Sequence, residues 1–418
     1  MNKQNNLLSY LIYFYIIFTA ILPSKFKGIP LGDVILFLIV LVYLFTISIY
    51  RESRERFIKG IQDFFTDYLS IFMFVLFIVM CISVSYASYK TMALKESLRF
   101  VTYLIIYFII KYEITEKYIW DNIIKAYIFV VTAISSFGII QYFTKIGVSK
   151  DFLYDKRYAF KVRIPSTLEN PNSLGAFLIL AIFPLIMITL YEKNKNKKIL
   201  YGIICMVVFI NIVLSGSRNT WGGFLIGAVI FIIIYNWKAI FLFLLGGASA
   251  LMLPAVRNRI GDFKLVSTDG RVNLWKIALK MIKDHPIVGV GNGNYYSLYG
   301  AYVKKYPELY YNHHANFPVH NSYLKIQSEL GIAGSVSFVG ILVAVLVKIK
   351  TFINTTKNEF YKAFYKGFFI SVIVFYFMNV SDNLLFVPKI SVYFWILVAI
   401  SQSMIYNNSR DFSKYDIK

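Results

Sequence analysis

Runs of about twenty apolar residues recur along this chain, the length a helix needs to cross roughly 30 Å of hydrocarbon. They fall at 7–23, 31–50, 68–87, 97–111, 122–143, 174–191, 199–215, 220–236, 238–256, 323–347, 363–382 and 387–406. The run 97–111 is short, and 220–236 is divided from 238–256 only by Tyr235-Asn236-Trp237-Lys238. No barrel-type alternation accompanies the runs, so helices must satisfy the backbone in lipid. The pattern predicts an all-α, polytopic integral membrane protein with about twelve transmembrane helices. Between 256 and 323 the apolar pattern stops. The chain then divides into helices one to nine with short loops (1–256), one large loop (257–322), and helices ten to twelve with a tail (323–418).

Charge orients this scheme. Arg51, Arg54, Arg56 and Lys59 follow the second run. Lys193, Lys195, Lys197 and Lys198 follow the sixth, and Lys348, Lys350, Lys357, Lys362 and Lys366 follow the tenth. Short basic loops stay cytoplasmic. Both termini are then expected inside, and the loops 144–173, 216–219 and 257–322 outside. The outer loops nonetheless carry Arg157, Arg163, Arg218, Arg257, Arg259 and Arg271. Long loops translocate despite charge, but Arg218 sits in the tiny turn Ser215-Gly216-Ser217-Arg218. An arginine pinned there either snorkels to headgroups or meets a planar anionic partner such as phosphate.

Composition agrees: 58% of the 418 residues are hydrophobic and 16% charged, against about a quarter charged in soluble proteins. The net charge of +22 arises from 44 Lys+Arg against 22 Asp+Glu. No basic cluster sits on a soluble domain, so membrane lipid rather than nucleic acid is the expected partner. Cys81 and Cys205 lie in separate apolar runs as packing residues, with no disulfide or metal framework. The first run lacks a small-residue cleavage site and is read as a retained span.

Chemistry concentrates between Asp269 and Gly334, which hold all four histidines, His285, His313, His314 and His320. Thr268-Asp269-Gly270 reads as a cap before a helix of about thirteen residues ending at Asp284-His285-Pro286. Its apolar Val272, Trp275, Ile277, Ala278 and Ile282 alternate with Lys276, Lys280 and Lys283 at amphipathic spacing. Such a helix lies on the membrane or packs onto the bundle. Arg271 in its first turn opposes the helix dipole, which suits a ligand-binding role. Gly289-Val290-Gly291-Asn292-Gly293 has no βα unit around it and reads as a flexible loop, not a dinucleotide fingerprint. No acidic or Cys ligand stands at a recognisable spacing from the histidines, so no metal is expected. Upstream, Asn170-Pro171-Asn172 is turn chemistry, with Asn172 or Ser173 as cap of the sixth span and Arg163 close by. Asp382, near the end of the eleventh run beside Asn379 and Asn383, is an intramembrane or interfacial acid and a functional candidate on that ground alone.

Four stretches resemble the O-antigen ligase and O-antigen polymerase superfamily of bacterial membrane glycosyltransferases. They are RIPSTLENPNSLGAFL (163–178), SGSRNTW (215–221), GRVNLWKIALKMIKDHPIVGVGNG (270–293) and HNSYLKIQSELGIAG (320–334). One departure is Leu168-Glu169, where that family more often has an aromatic residue and a glycine. The resemblance implies transfer of a glycan from undecaprenyl diphosphate to an acceptor hydroxyl, on the outer face of the cytoplasmic membrane. The acceptor would be a glycan or glycolipid, and neither a nucleotide sugar nor a metal cofactor would be required. It also implies roles: Arg218 and Arg271 bind the diphosphate, His320 orients or deprotonates the acceptor, and Arg163 is an auxiliary phosphate contact. Asn321, Tyr323 and Glu329 match the motif and His313 and His314 lie near it, all as auxiliaries or structural residues. The chemistry is consistent. A departing diphosphate is stabilised by arginines, and histidine is the default base for a hydroxyl.

A transporter or flippase of lipid-linked oligosaccharide is the alternative. It predicts charges at mid-depth and internal repeats with broken helices, whereas these runs are nearly free of charge. Ligase and polymerase share the motifs, and nothing in the residues names the acceptor.

Overall fold

The computed structural model describes residues 4–24, 30–153, 162–235, 237–254, 256–257, 268–311 and 315–413. Among these the chain is helical throughout, with no strand beyond a single bridge between Leu153 and Val162. The longer helices are α1 (Gln4–Ile21), α2 (Leu31–Ile49), α3 (Arg51–Phe64), α4 (Tyr68–Tyr86), α5 (Lys90–Glu113), α6 (Lys117–Thr144), α7 (Pro171–Tyr191), α8 (Lys195–Leu214), α9 (Arg218–Ile234), α10 (Ile240–Leu251), α11 (Thr268–Asp284), α12 (Asn294–Lys305), α13 (Ser322–Thr355), α14 (Glu359–Met378) and α15 (Pro388–Ser413). Eight are long and apolar enough to cross a membrane: α2, α4, α6, α7, α8, α13, α14 and α15. Leu7–Ile21 and α9 are apolar but shorter. The run 97–111 lies inside the longer α5, whereas 238–256 yields only the twelve-residue α10, about 18 Å of helix at 1.5 Å per residue.

Helix α7 is the axis of the bundle. A helix apolar on every side has to be covered on every side, and α7 is buried from Ser173 to Ile188. It packs on α14, α8 and α9, while α13 packs on α4 and α15 on α5. Tails of lipid are as apolar as leucine, so close approach and interhelical hydrogen bonds hold such helices together. At the α7–α14 contact, a Cβ on Gly367 would stand 2.3 Å from the carbonyl oxygen of Phe183, next to the helix-interior Pro184. One turn on, Ser371 Oγ donates to the carbonyl oxygen of Ile179 at 2.7 Å.

The basic segment after α2 is itself a helix. The apolar-run reading treated Arg51, Arg54, Arg56 and Lys59 as loop, because α3 has the spacing of a surface helix rather than a span. Arg56 pairs with buried Glu113 at 2.6 Å, and Lys111 pairs with Asp63 at 2.8 Å and Asp67 at 3.0 Å. These pairs pin α3 to the end of α5. Cys81 faces outward from α4 rather than into the packing.

The segment between α10 and α13 builds a small core of its own. Leu274, Ile277, Ala278 and Met281 of α11 meet Tyr295, Tyr299 and Val303 of α12. The amphipathic helix read from the sequence is therefore present, longer than expected because it starts at Thr268, and it packs on α12 and α13. The glycine segment 289–293 is clamped, not flexible. Gly331 breaks α13 with φ 63° and ψ −154°, which frees carbonyls in the preceding turn. Val290 N–H donates to Ser328 O at 2.9 Å, Gly291 N–H to Glu329 O at 2.8 Å, and Ile332 N–H to Ile287 O at 3.1 Å.

The α7–α14 contact predicts a contrast between two glycines. Gly367→Ala should destabilise by about 1–3 kcal/mol, since backbone opposite it cannot retreat. Gly222→Ala in α9, with nothing within 4 Å of its Cβ position, should be neutral or slightly stabilising. Thermal unfolding of the detergent-solubilised protein checks both, and equal effects would contradict the packing described.

Candidate active site

His320 lies where the connection from α12 turns into α13. Its successor Asn321 is the helix cap, accepting from Tyr323 N–H and Leu324 N–H at 3.0 Å each, so its side-chain oxygen is committed to the fold. His320 itself adopts φ 49°, a left-handed conformation that costs a non-glycine residue about 1–2 kcal/mol. Such strain persists only where the surroundings impose it. Here Trp275 Nε1 donates to the His320 carbonyl at 3.3 Å, and Asn321 N–H donates to Asn383 Oδ1 at 2.9 Å. The ring is thereby aimed at the turn that follows α14. His320 Nδ1 stands 3.0 Å from Asp382 Oδ1.

The α14 turn is built to hold that carboxylate. Ser322 Oγ donates to Asn379 Oδ1 at 2.6 Å, and Leu385 N–H donates to the same oxygen at 2.9 Å. Asn383 N–H donates to Asp382 Oδ1 at 2.9 Å. A carboxylate is a pure acceptor, so the His320 nitrogen facing it carries the proton. That leaves Nε2 as the acceptor nitrogen.

The second carboxylate oxygen leads to the start of α7. Asn172 Nδ2 donates to Asp382 Oδ2 at 3.2 Å, and Arg163 Nη2 donates to Asn172 Oδ1 at 3.0 Å. Asn172 was expected, with Ser173, as a cap of this helix. The cap is instead Asn170, whose side chain accepts from Asn172 N–H at 2.8 Å, with Pro171 in the first turn. Proline suits that position because its missing N–H has no intrahelical partner there. The arrangement releases the Asn172 side chain for the chain of contacts above. Arg163 also donates from Nε to Ser215 O at 3.1 Å. Gly216, at φ 57°, makes room for it: a Cβ there would lie 3.1 Å from Arg163 Cγ.

Arg218 is the first residue of α9, half-buried, directly after the Ser215–Ser217 turn that receives Arg163. Its neighbour Asn219 donates to the Met378 carbonyl at the end of α14 at 3.0 Å, which brings α9 to the same end of the bundle as Asp382. Arg271, half-buried in the first turn of α11, acts by its charge on Asp382. His320 directly, Arg163 through Asn172 and Arg271 by its charge thus converge on an acid that residue order alone does not link to them, and Arg218 begins a helix at the same end of the bundle. The linking signal is three-dimensional; in sequence, 62 residues separate His320 from Asp382.

The other expected auxiliaries fall elsewhere. Glu329 is buried in α13 and caps α12, with Oε2 accepting from Gly293 N–H at 2.8 Å and Oε1 from Tyr295 N–H at 3.2 Å; it also pairs with Lys325. Tyr323 donates to the Tyr376 carbonyl at 3.0 Å. His285 and Arg257 are exposed. His313, His314, Arg157 and Arg259 lie outside the described residues.

Burial alone would raise the Asp382 carboxyl. The His320 hydrogen bond, the Arg271 charge and the Asn383 N–H outweigh it and hold the group below its usual range. A depressed folded value means stability that is present above the unfolded carboxyl value and lost as pH falls through the folded one. Asp382→Asn should therefore be less stable than wild type at neutral pH, with the gap closing below about pH 4. Thermal unfolding across that range is the check; a gap independent of pH would contradict the paired carboxylate.

Comparison with known proteins adds an independent finding. Residues 203–339 match the family model described as O-antigen ligase, a stretch that includes Arg218, Arg271 and His320. No curated protein matches the chain. The family supports surface polysaccharide biosynthesis, a membrane glycosyltransferase-type activity, and lipid-linked glycan and acceptor as partners in general. Together with the apolar helices, the match over residues 203–339 supports the resemblance of this membrane protein to the O-antigen ligase and polymerase superfamily.

Proposed function

We propose that the chain transfers a glycan from undecaprenyl diphosphate to an acceptor hydroxyl, as an O-antigen ligase or surface polysaccharide polymerase that needs no metal. The observation that carries the reading is the His320–Asp382 pair, 3.0 Å apart, at the end of the bundle where Arg163, Arg218 and Arg271 also lie. In the proposed step the acceptor oxygen forms a bond to the anomeric carbon. The bond from that carbon to the diphosphate oxygen breaks, and its electron pair leaves with the diphosphate. The hydroxyl proton passes to His320 Nε2. Asp382 fixes the imidazole tautomer and stabilises the imidazolium, as a triad carboxylate does. Arg218 and Arg271 hold the diphosphate and stabilise its growing charge.

Arg163, expected as an auxiliary phosphate contact, takes a second part in this reading. Two of its N–H groups are directed to Ser215 O and Asn172 Oδ1, which makes it a positioning residue for Asn172 and Asp382. The proposal sets this end of the bundle on the outer face of the cytoplasmic membrane, with both termini inside and about twelve membrane crossings in all. It takes 257–322 as the outer catalytic loop between the helices of 1–256 and 323–418. The two cationic arginines at a single end, with α7 buried in apolar surroundings, support one-sided chemistry over transport.

The test uses purified protein, a polyprenyl diphosphate-linked glycan, a candidate acceptor and a chelator. Wild type should transfer with chelator present. Arg218→Ala and Arg271→Ala should each lose about 10²–10³ in rate, and His320→Ala about 10²–10⁴. A ladder of products indicates polymerisation and a single product ligation. Movement of the lipid across vesicles with no transfer would replace this reading with that of a flippase.

A further inference from the structure

The proposed reaction leaves unused a run of aromatic rings between the diphosphate-binding arginine and the base. A Cβ on Gly270 would stand 2.0 Å from Tyr311 Cε2, so the Tyr311 ring lies directly on the backbone preceding Arg271. Only glycine leaves space for it there. The rings of Tyr311 and Phe317 meet edge to face with centroids 4.9 Å apart, and those of Phe317 and His320 lie 5.6 Å apart at 53°. The rings thus follow one another from the backbone before Arg271 to His320.

These rings are held in place at several points. Tyr311 N–H donates to Tyr299 Oη at 3.0 Å, and Tyr299 belongs to the small core of α11 and α12. Gly300 of α12 admits the Ala315 carbonyl, which would lie 2.6 Å from a Cβ. Trp275 ties the far end to α11 through the His320 carbonyl. Tyr311 and Phe317 nevertheless remain half-buried. Both pack against the α11–α12 core and keep part of their surface open, Tyr311 beside the backbone that precedes Arg271 and Phe317 beside the His320 ring. Exposed apolar surface rimmed by polar groups is characteristic of a ligand site.

We propose that Tyr311 and Phe317 form the platform for the donor's diphosphate-linked sugar, a pyranose seated in the corner between the two rings with its apolar C–H face on one of them. This deepens the transferase reading and rests on it. If the diphosphate sits at Arg271 and the acceptor hydroxyl at His320, one group lies between them by covalent connectivity. It is the sugar whose anomeric carbon carries the diphosphate. Aromatic surface suits that position because it orients a ring without competing for the hydroxyl proton.

Two measurements test this. In transfer assays, Tyr311→Leu and Phe317→Leu, which keep apolar bulk but lose the ring, should raise the donor KM about five- to tenfold and leave the acceptor KM unchanged. Phe317→Tyr and Tyr311→Phe should restore donor KM to within about twofold of wild type. A rise in acceptor KM instead, or no change in donor KM, overturns the platform. The second measurement needs no turnover: binding of a short-chain prenyl diphosphate with and without one attached sugar, followed by saturation-transfer NMR in detergent. Wild type should prefer the sugar-bearing probe about five- to tenfold. The leucine variants should bind the sugarless probe as wild type does, which reports a folded site, and show no preference. A preference that survives in them overturns the proposal. A wild type that shows the preference but never transfers keeps the platform and refutes the transferase reading instead.

Discussion

A buried carboxylate is tolerated only if its charge is matched and its oxygens are hydrogen-bonded, and Asp382 meets both conditions through groups from four separate segments. Its first oxygen faces His320 from the start of α13 and the N–H of Asn383. Its second receives Asn172 from α7, which is itself held by Arg163, and Arg271 of α11 supplies further positive charge. Each of these segments is oriented partly by that one acid.

Two kinds of packing deliver these segments to one place. In the apolar spans, close approach decides, as where Gly367 admits the α7 backbone at Phe183. Between α10 and α13 a small hydrophobic core does so, built from α11 and α12 and fastened to α13 where Gly331 opens the helix. Glu329, expected as an auxiliary of the site, serves this fastening by capping α12. An error in the position of α12 would reach His320 through Tyr299, Tyr311 and Phe317.

Much of this was legible from residue order because membrane spans and helix signals are local. Apolar runs located α2, α4, α7, α13, α14 and α15, and the spacing of Trp275, Ile277 and Ala278 located α11. Arg218 and His320 stood out as a charge and a histidine at the ends of apolar stretches, and Arg271 as a cation in the first turn of an amphipathic helix. What the sequence concealed depends on long-range partners. Asn172 looked like a cap, since nothing local says that Asn170 takes that role and frees it. Asp382 looked like an isolated acid, since its histidine lies 62 residues earlier. The helix α3 was read as loop because its basic residues mask an amphipathic period. The glycines at 289–293 looked mobile because their partners are carbonyls released by a distant kink.

The central claim is that His320 and Asp382 act as one unit in moving the acceptor proton. The most direct test is a double-variant cycle on transfer rate with His320→Ala, Asp382→Ala and the pair, each shown to remain folded. Residues that work as a unit lose little more together than the more damaging one loses alone. The account predicts that the double variant transfers as slowly as His320→Ala. Losses that multiply would show that Asp382 acts independently of the histidine and would contradict it.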